Sequence, residues 1–244
     1  MGEFKVWRVK DDLIRWIREW MAVNGRDCHV VIGISGGKDS TVVAALCKEA
    51  LGKERVTGVL LPDGEQEDIE YSREIVKALG IRSWEINIEA ITNAVWESFP
   101  QDLQASRQSI VNLPPRVRMA MLYAVSQSIN GRVVNTGNLS ENWVGYATRY
   151  GDTAGDFAPL ADLTAAEVIE LGYALGLEPK FVEKIPSDGL CGRTDEDNLG
   201  FTYEVLDRYI RTGICEDEET KAQIDILHDK NKFKLEPMPG FSLS

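Results

Sequence analysis

The hexapeptide Ser35-Gly36-Gly37-Lys38-Asp39-Ser40 constrains the fold of this chain more than any other stretch. Residues 29–34 before it read HVVIGI, an apolar run of strand length, and residues 41–51 after it are helix formers with apolar spacing. Strand, glycine-rich turn and helix in that order predict a βα unit with a ligand at the turn. Gly36 and Gly37 let the backbone approach a ligand closely and tolerate positive φ. The N–H groups of the turn and of the helix start would face an anion, phosphate first among the candidates. Ser35 and Ser40 add hydroxyls, and Lys38 adds a positive charge. Asp39 would repel a phosphate unless it holds a divalent cation that bridges to it. The plainer alternative is a glycine-rich strand-to-helix turn of any α/β protein.

The rest of the chain sets the frame for that turn. Its 244 residues suit one large α/β domain, and 43% hydrophobic content supplies a sizeable core. The balance of 39 acidic against 27 basic residues, net −12, disfavours nucleic acid and anionic membranes as partners. Cys28, Cys47, Cys191 and Cys215 form no CxxC pair, and with two histidines they make a zinc site a poor fit. The N-terminal stretch is charged, with no signal-peptide apolar segment, and no run reaches transmembrane length, so a cytoplasmic protein is expected.

Periodicity predicts helices over 11–22, 66–79, 89–97, 115–129, 164–175, 178–185, 201–211 and 216–228. Strands are predicted over 29–34, 56–61, 83–88 and 132–136. Crossovers of helix length separate the strands, so the fold class is α/β, a doubly wound, mostly parallel sheet flanked by helices. Residues 100–114 read as a polar, irregular loop, and 138–160 as loop with short helix. Thr164 is an N-cap candidate with Glu167 in the capping-box position, and the tail from 231 is Pro-rich.

Two familiar nucleotide signatures are absent: neither GxGxxG nor GxxxxGK is present, so a different phosphate loop is indicated. If the strand at 132–136 lies beside the one at 29–34, the segment from 138 to 152 opens at the same sheet edge, where α/β ligands bind. Asp39 and Glu141 could then share a magnesium ion; a helix-start carboxylate explains Glu141 equally well by pattern alone. Asp152 and Asp156 either orient a nucleophile or cap turns. Arg116 and Arg118, read as lying at a helix start, would oppose the helix dipole there, which favours a ligand role. Neither His29 nor His228 has a Ser or Cys partner implied by the sequence, so a histidine-centred triad is disfavoured.

Residues 35–40 resemble the pyrophosphate loop of the adenine nucleotide alpha-hydrolase, or ATP pyrophosphatase, superfamily. Further stretches resemble one family within it, the ammonia-dependent NAD synthetases: LPDGEQEDIE at 61–70, NLPPRVRM at 112–119, NTGNLSENWVGYATRYGD at 135–152, PLADLTAAEV at 159–168 and SDGLCGRTDEDNLGFTYEVLD at 187–207. They run in order over most of the chain. The resemblance implies a single synthetase domain over 1–244, with an N-terminal helix and a Pro-rich tail. It implies adenylation of the carboxylate of deamido-NAD (nicotinic acid adenine dinucleotide) by ATP, then displacement of AMP by ammonia. The alternatives are the same chemistry on a different carboxylate or carbonyl, and a non-catalytic nucleotide-binding protein. Position by position, Ser35, Gly36, Gly37, Asp39 and Ser40 would hold the phosphates, helped by Lys38. Asp39 and Glu141 would hold Mg2+. Gln66, Thr136 and Ser187 would approach ATP. Arg118, Arg116, Arg149 and Asp156 would meet the dinucleotide, and Asp152 would lie near ammonia. Family members are homodimers, and a separate glutaminase subunit could supply the ammonia. The chain departs from the family pattern at Arg149 and Ala165, where many members carry lysine, at Leu60 for an arginine, and at Phe233-Lys234 for His-Lys.

Overall fold

The computed structural model describes residues 4–66, 69–183 and 195–242. In chain order its first half comprises α1 (Val6–Asn24), β1 (His29–Gly33), α2 (Lys38–Leu51), β2 (Val56–Leu60), α3 (Ile69–Leu79), β3 (Arg82–Glu85) and α4 (Glu89–Glu97). The second half comprises α5 (Arg107–Ser128), β4 (Gly131–Val133), α6 (Leu139–Val144), α7 (Ala165–Ala174), α8 (Pro179–Val182), α9 (Asp195–Leu199), α10 (Tyr203–Thr212) and α11 (Glu218–Asn231).

The β1 strand is apolar throughout its middle because both of its faces are covered. Val30 and Ile32 enter one buried cluster and Val31 enters another, as the two-residue period of a strand requires. On the first face lie Ile14, Ile17 and Met21 of α1, the buried side of α2, Ile75 of α3, and Val168 and Leu171 of α7. The second face is closed by Val117, Met119 and Leu122 of α5 together with Ile88. A third cluster joins Val144, Ala165, Leu199, Tyr203, Leu206 and Ile224, and so ties α6, α9, α10 and α11 together.

All strand pairs are parallel, in the order β3-β2-β1-β4. The chain first winds outward from β1 through β2 to β3, and then returns through α4 and α5 to lay β4 on the other side of β1. The switch of direction therefore falls between β1 and β4, where Val31 faces Val133. In such sheets the carboxyl ends at the switch point open a crevice.

Several sequence expectations shift. Helix α1 begins earlier than residue 11, and α5 begins at Arg107, not at 115. Much of the expected 100–114 loop is therefore helical. Ser106 caps it, its hydroxyl accepting the Ser109 N–H at 3.1 Å. Pro114 and Pro115 lie inside α5 although each removes a backbone donor; burial of Pro114 in the tertiary structure outweighs the local preference. Arg116 and Arg118 are consequently mid-helix, and the argument from the helix dipole does not apply to them. Strand β4 is short: just past Val133 the Val134 N–H still donates to the Val31 carbonyl of β1 at 3.0 Å, while on the other edge Val134 bridges Phe157 and the Asn135 N–H donates to the Phe157 carbonyl at 2.9 Å. Trp20 of α1 stacks on Phe157 with ring centroids 4.4 Å apart, which pins this segment to the sheet edge. The capping box of Thr164 and Glu167 forms as expected.

Gly155 lies where this return segment crosses Asn135. A Cβ there would sit 2.7 Å from the Asn135 Cβ and 2.8 Å from its backbone nitrogen. Gly155→Ala should therefore lower stability by about 1–3 kcal/mol, the usual cost of overpacking. Urea unfolding measures this; an unchanged midpoint would show that the crossing is looser than described.

Candidate active site

The turn between β1 and α2 is held by its own serines. The Ser35 N–H donates to the Ser40 hydroxyl oxygen at 3.3 Å, the two hydroxyls lie 3.2 Å apart, and the Gly37 N–H donates to the Ser35 hydroxyl oxygen at 3.2 Å. The Ser40 hydroxyl in turn donates to the Gly37 carbonyl at 3.1 Å. Gly36 has φ 84°, which favours glycine. Among the described residues no side chain caps the start of α2, whose first N–H groups suit an anion.

Directly beside this seat stand two acidic groups from different parts of the chain. Asp39 lies in the first turn of α2. Its Oδ1 accepts the Asn138 side-chain amide at 2.9 Å, and its Oδ2 takes the Lys38 ammonium at 2.9 Å. Asn138 also caps α6: its Oδ1 accepts the Glu141 N–H at 3.0 Å, while the Glu141 carboxylate reaches back to the Asn138 N–H. One buried asparagine thus joins the loop after β1 to the loop after β4. Burial, and then the nearby Asp39 charge, push the Glu141 carboxyl up to about 8, against the opposing pull of Lys38. Burial on its own would lower the Lys38 pKa, but Asp39 and Glu141 outweigh it and hold it above the usual lysine value.

Asp39 and Glu141, near enough for the Asp39 charge to act on Glu141, form a hard-oxygen donor pair of the kind that suits Mg2+ when phosphate oxygens and water complete the shell. Among the described residues no cluster of three or more His, Cys, Asp or Glu side chains forms a cage for a metal by itself. The ammonium of Lys38 on Asp39 marks the same position as one that accepts a cation.

A second group lies around the end of β2 and the segment after α6. Arg118 donates to the Leu61 carbonyl at 2.9 Å; burial lowers its pKa while Asp63 and Asp152 counter that. Asp152 is exposed as a residue, yet desolvation of its carboxyl is the main reason its pKa lies above the usual range, with the Thr148 N–H, donating to it at 2.7 Å, opposing the rise. Lys234 of the tail donates to the Gly145 and Ala147 carbonyls at 2.8 and 3.2 Å and also favours the Asp152 charge. Next to it, the guanidinium of Arg149 lies 5.2 Å from the Phe233 ring centre and donates to the Glu236 carbonyl at 3.4 Å. The tail therefore braces the segment that carries Asp152.

The other expected residues are less concentrated. Arg116 is exposed and donates to the Arg149 carbonyl at 3.3 Å. Asp156 is engaged at the strand edge, accepting the Val133 N–H at 2.7 Å and the Tyr123 hydroxyl at 3.3 Å. Thr136 lies on the loop leading to α6, half-buried, and Gln66 ends the described part of the loop after β2. Ser187 lies outside the described residues. Asn138 was not among the expected site residues, although Asn-Leu-Ser-Glu is an N-cap with an acid three positions on. Asp207 was missed too: it takes a hydrogen bond from the Ser140 hydroxyl and accepts the Ala166 N–H at 2.9 Å, joining α6, α7 and α10.

With this arrangement established, comparison with known proteins is informative. The NAD synthase family model matches residues 9–237. The chain belongs to the NAD synthase family. An NH(3)-dependent NAD(+) synthetase of Pyrococcus furiosus is 43% identical over 182 residues, covering 74% of this chain and 70% of that protein. The structure of NMN synthetase from Francisella tularensis superposes with a TM-score of 0.90 at 30% identity, over 99% of this chain and 100% of that one. The NH3-dependent NAD synthetase of Campylobacter jejuni superposes with a TM-score of 0.79, also at 30% identity, with the same shares covered. The fold is thus that of the ATP pyrophosphatase superfamily, as the hexapeptide implied.

Burial raises the pKa of Asp207 above its usual 3.8 despite the hydrogen bonds from Ser140 and Ala166. The folded state then holds this proton more tightly than the unfolded chain, so stability contributed by the protonated carboxyl is present below about pH 4 and is lost as pH rises through the raised value. The stability of the wild type minus that of Asp207→Asn should accordingly fall as pH rises from about 4 towards neutrality. Thermal unfolding of both proteins across that range checks the sign; a difference that grows with pH would contradict it.

Proposed function

We propose that the chain is an ammonia-dependent NAD synthetase that adenylates the carboxylate of deamido-NAD with ATP and then amidates it. The observation that carries this reading is the meeting of Asp39 and Glu141 beside the uncapped start of α2, at the switch point of the sheet. Family membership supports the reaction class.

A free carboxylate does not exchange its oxygen for ammonia, because oxide is a poor leaving group. In the first step a carboxylate oxygen of the substrate attacks the α-phosphorus of ATP. The bond from that phosphorus to the bridging oxygen breaks, and pyrophosphate leaves. In the second step ammonia attacks the acyl carbon, the acyl–oxygen bond breaks, AMP leaves with that oxygen, and one nitrogen proton is lost. The N–H groups at the start of α2 and of the 35–37 turn would bind the phosphates and stabilise charge growing on their oxygens. Asp39 and Glu141 would hold Mg2+, which supplies charge neutralisation and electrophilic assistance at the phosphates. Lys38, Ser35, Gly36, Gly37 and Ser40 belong to the same cradle, with Gln66, Thr136 and Ser187 toward the rest of ATP. Arg118, held at the end of β2, would take an anionic part of the dinucleotide, with Arg116, Arg149 and Asp156 around it. Asp152, whose pKa lies above the usual range, is suited to receive the proton shed by ammonium or by the attacking nitrogen. Homodimer formation, a cytoplasmic setting and a separate glutaminase as ammonia source complete the proposal.

A second reading has one observation in its favour. At equal identity, the F. tularensis NMN synthetase superposes better than the C. jejuni NAD synthetase, with TM-scores of 0.90 and 0.79. The same two steps on nicotinic acid mononucleotide would give NMN. The decisive measurement offers purified protein ATP, Mg2+ and ammonium with either deamido-NAD or the deamidated mononucleotide. The proposal expects NAD, AMP and pyrophosphate in equal amounts, and faster turnover of the dinucleotide. Faster turnover of the mononucleotide would establish the second reading, and pyrophosphate release with neither would remove both.

Asp152→Asn should reduce ammonia-dependent turnover by about 100-fold or more, within the range of general-base contributions, while leaving adenylation of the substrate intact in a pyrophosphate-exchange assay. Unchanged turnover at subsaturating ammonium would remove Asp152 from the proton-accepting role.

A further inference from the structure

Lys38 is in an unusual place for a cation. It is the first residue of α2, at the positive end of the helix dipole, and only 4% of its surface is exposed. Either condition alone disfavours an ammonium, and burial costs several kcal/mol for an unpaired ion. The charge is tolerated because acids surround it. Its Nζ lies 2.9 Å from Asp39 Oδ2, Glu141 and Asp195 add their fields, and the Tyr203 ring centre lies 5.8 Å away. The other oxygen of Asp39 is taken by Asn138. Both Asp39 oxygens are thus engaged, one of them by a buried positive charge.

We propose that Lys38 is a built-in counter-ion that holds Asp39 and makes divalent-cation binding conditional on the nucleotide. The inference rests on the reading of Asp39 and Glu141 as the metal-facing pair. An ion arriving alone must break the Lys38–Asp39 contact and then sit beside a positive charge confined with it in a site of low dielectric. Phosphate groups seated at the start of α2 change that balance. They give the Lys38 ammonium a second anionic partner, so that Asp39 is released as the nucleotide binds. Cation and nucleotide then each favour the other's binding by the same factor, as linkage requires. Lys38 is in this respect a positioning residue that sets the order of loading.

The test is Mn2+ binding to the full-length, nucleotide-free protein, read by the electron paramagnetic resonance signal of the free ion. Lys38→Met should bind Mn2+ at least about tenfold more tightly than wild type, because an opposing charge has been removed (each tenfold corresponds to about 1.4 kcal/mol). Lys38→Arg, which retains the charge, should bind as weakly as wild type. Equal or weaker binding by Lys38→Met, or tight binding by Lys38→Arg, would overturn the proposal. If Lys38→Met is too unstable to purify, Lys38→Gln is measured instead, and thermal unfolding with and without Mn2+ reports the same coupling. Failure of both variants to fold even with saturating Mn2+ would also overturn it, since the ion could not then replace the lost charge. The underlying site reading fails separately: a double variant of Lys38→Met with Asp39→Asn that binds Mn2+ as tightly as Lys38→Met alone would place the ion away from Asp39.

Discussion

The hydrogen bond from the Asn138 amide to Asp39 is the contact on which the site depends. It spans 99 residues of sequence and joins the carboxyl ends of two neighbouring parallel strands. Because Asn138 also caps α6, the same side chain fixes where Glu141 begins its helix. Parallel pairing of β1 with β4 brings the two loops to one edge; the asparagine then sets the distance between their acids. The amide is neutral, so it orders Asp39 without cancelling the negative charge that a divalent cation would meet.

That arrangement concentrates electrostatic cost. Burial first, and then the nearby Asp39 charge, make Glu141 resist ionisation. The protein offsets the cost with one ammonium, Lys38, and with a scaffold that cannot easily relax. Thr164 and Glu167 cap α7, Arg211 donates to the Glu167 carboxylate at 2.9 Å, and Asp207 ties Ser140 to Ala166. These contacts tie α6 to α7 and α10.

The fold was legible in the sequence wherever burial imposed a period. The residues HVVIGI and VTGVLL read as strands because both sheet faces are covered, and the 89–97 helix stands where its spacing put it. Legibility failed where tertiary contacts overrule local chemistry. The two prolines of α5 argued for a helix start at 115, and burial of Pro114 carried the helix back to Arg107. The strand expected over 132–136 is shorter, and its outer edge pairs with Phe157, a partner that no local pattern announces. For the candidate site, the hexapeptide and Glu141 could be marked from residue type and position. Asn138 carried only the local signal of an N-cap, and its bond to Asp39, like the contacts of Asp207, lies far along the chain.

The departures from the family pattern acquire a physical sense in this frame. Ala165 is 3% exposed and packs in the cluster with Tyr203, and the Tyr203 ring faces Lys38. A lysine at 165 would have to enter a region that already holds one buried ammonium, with like charges opposing one another. An alanine at that position leaves Lys38 as the buried cation next to Asp39 among the described residues. Arg149 follows the same logic at the other group, where Phe233 lies against its guanidinium, a planar cation over a ring where lysine would offer a point charge.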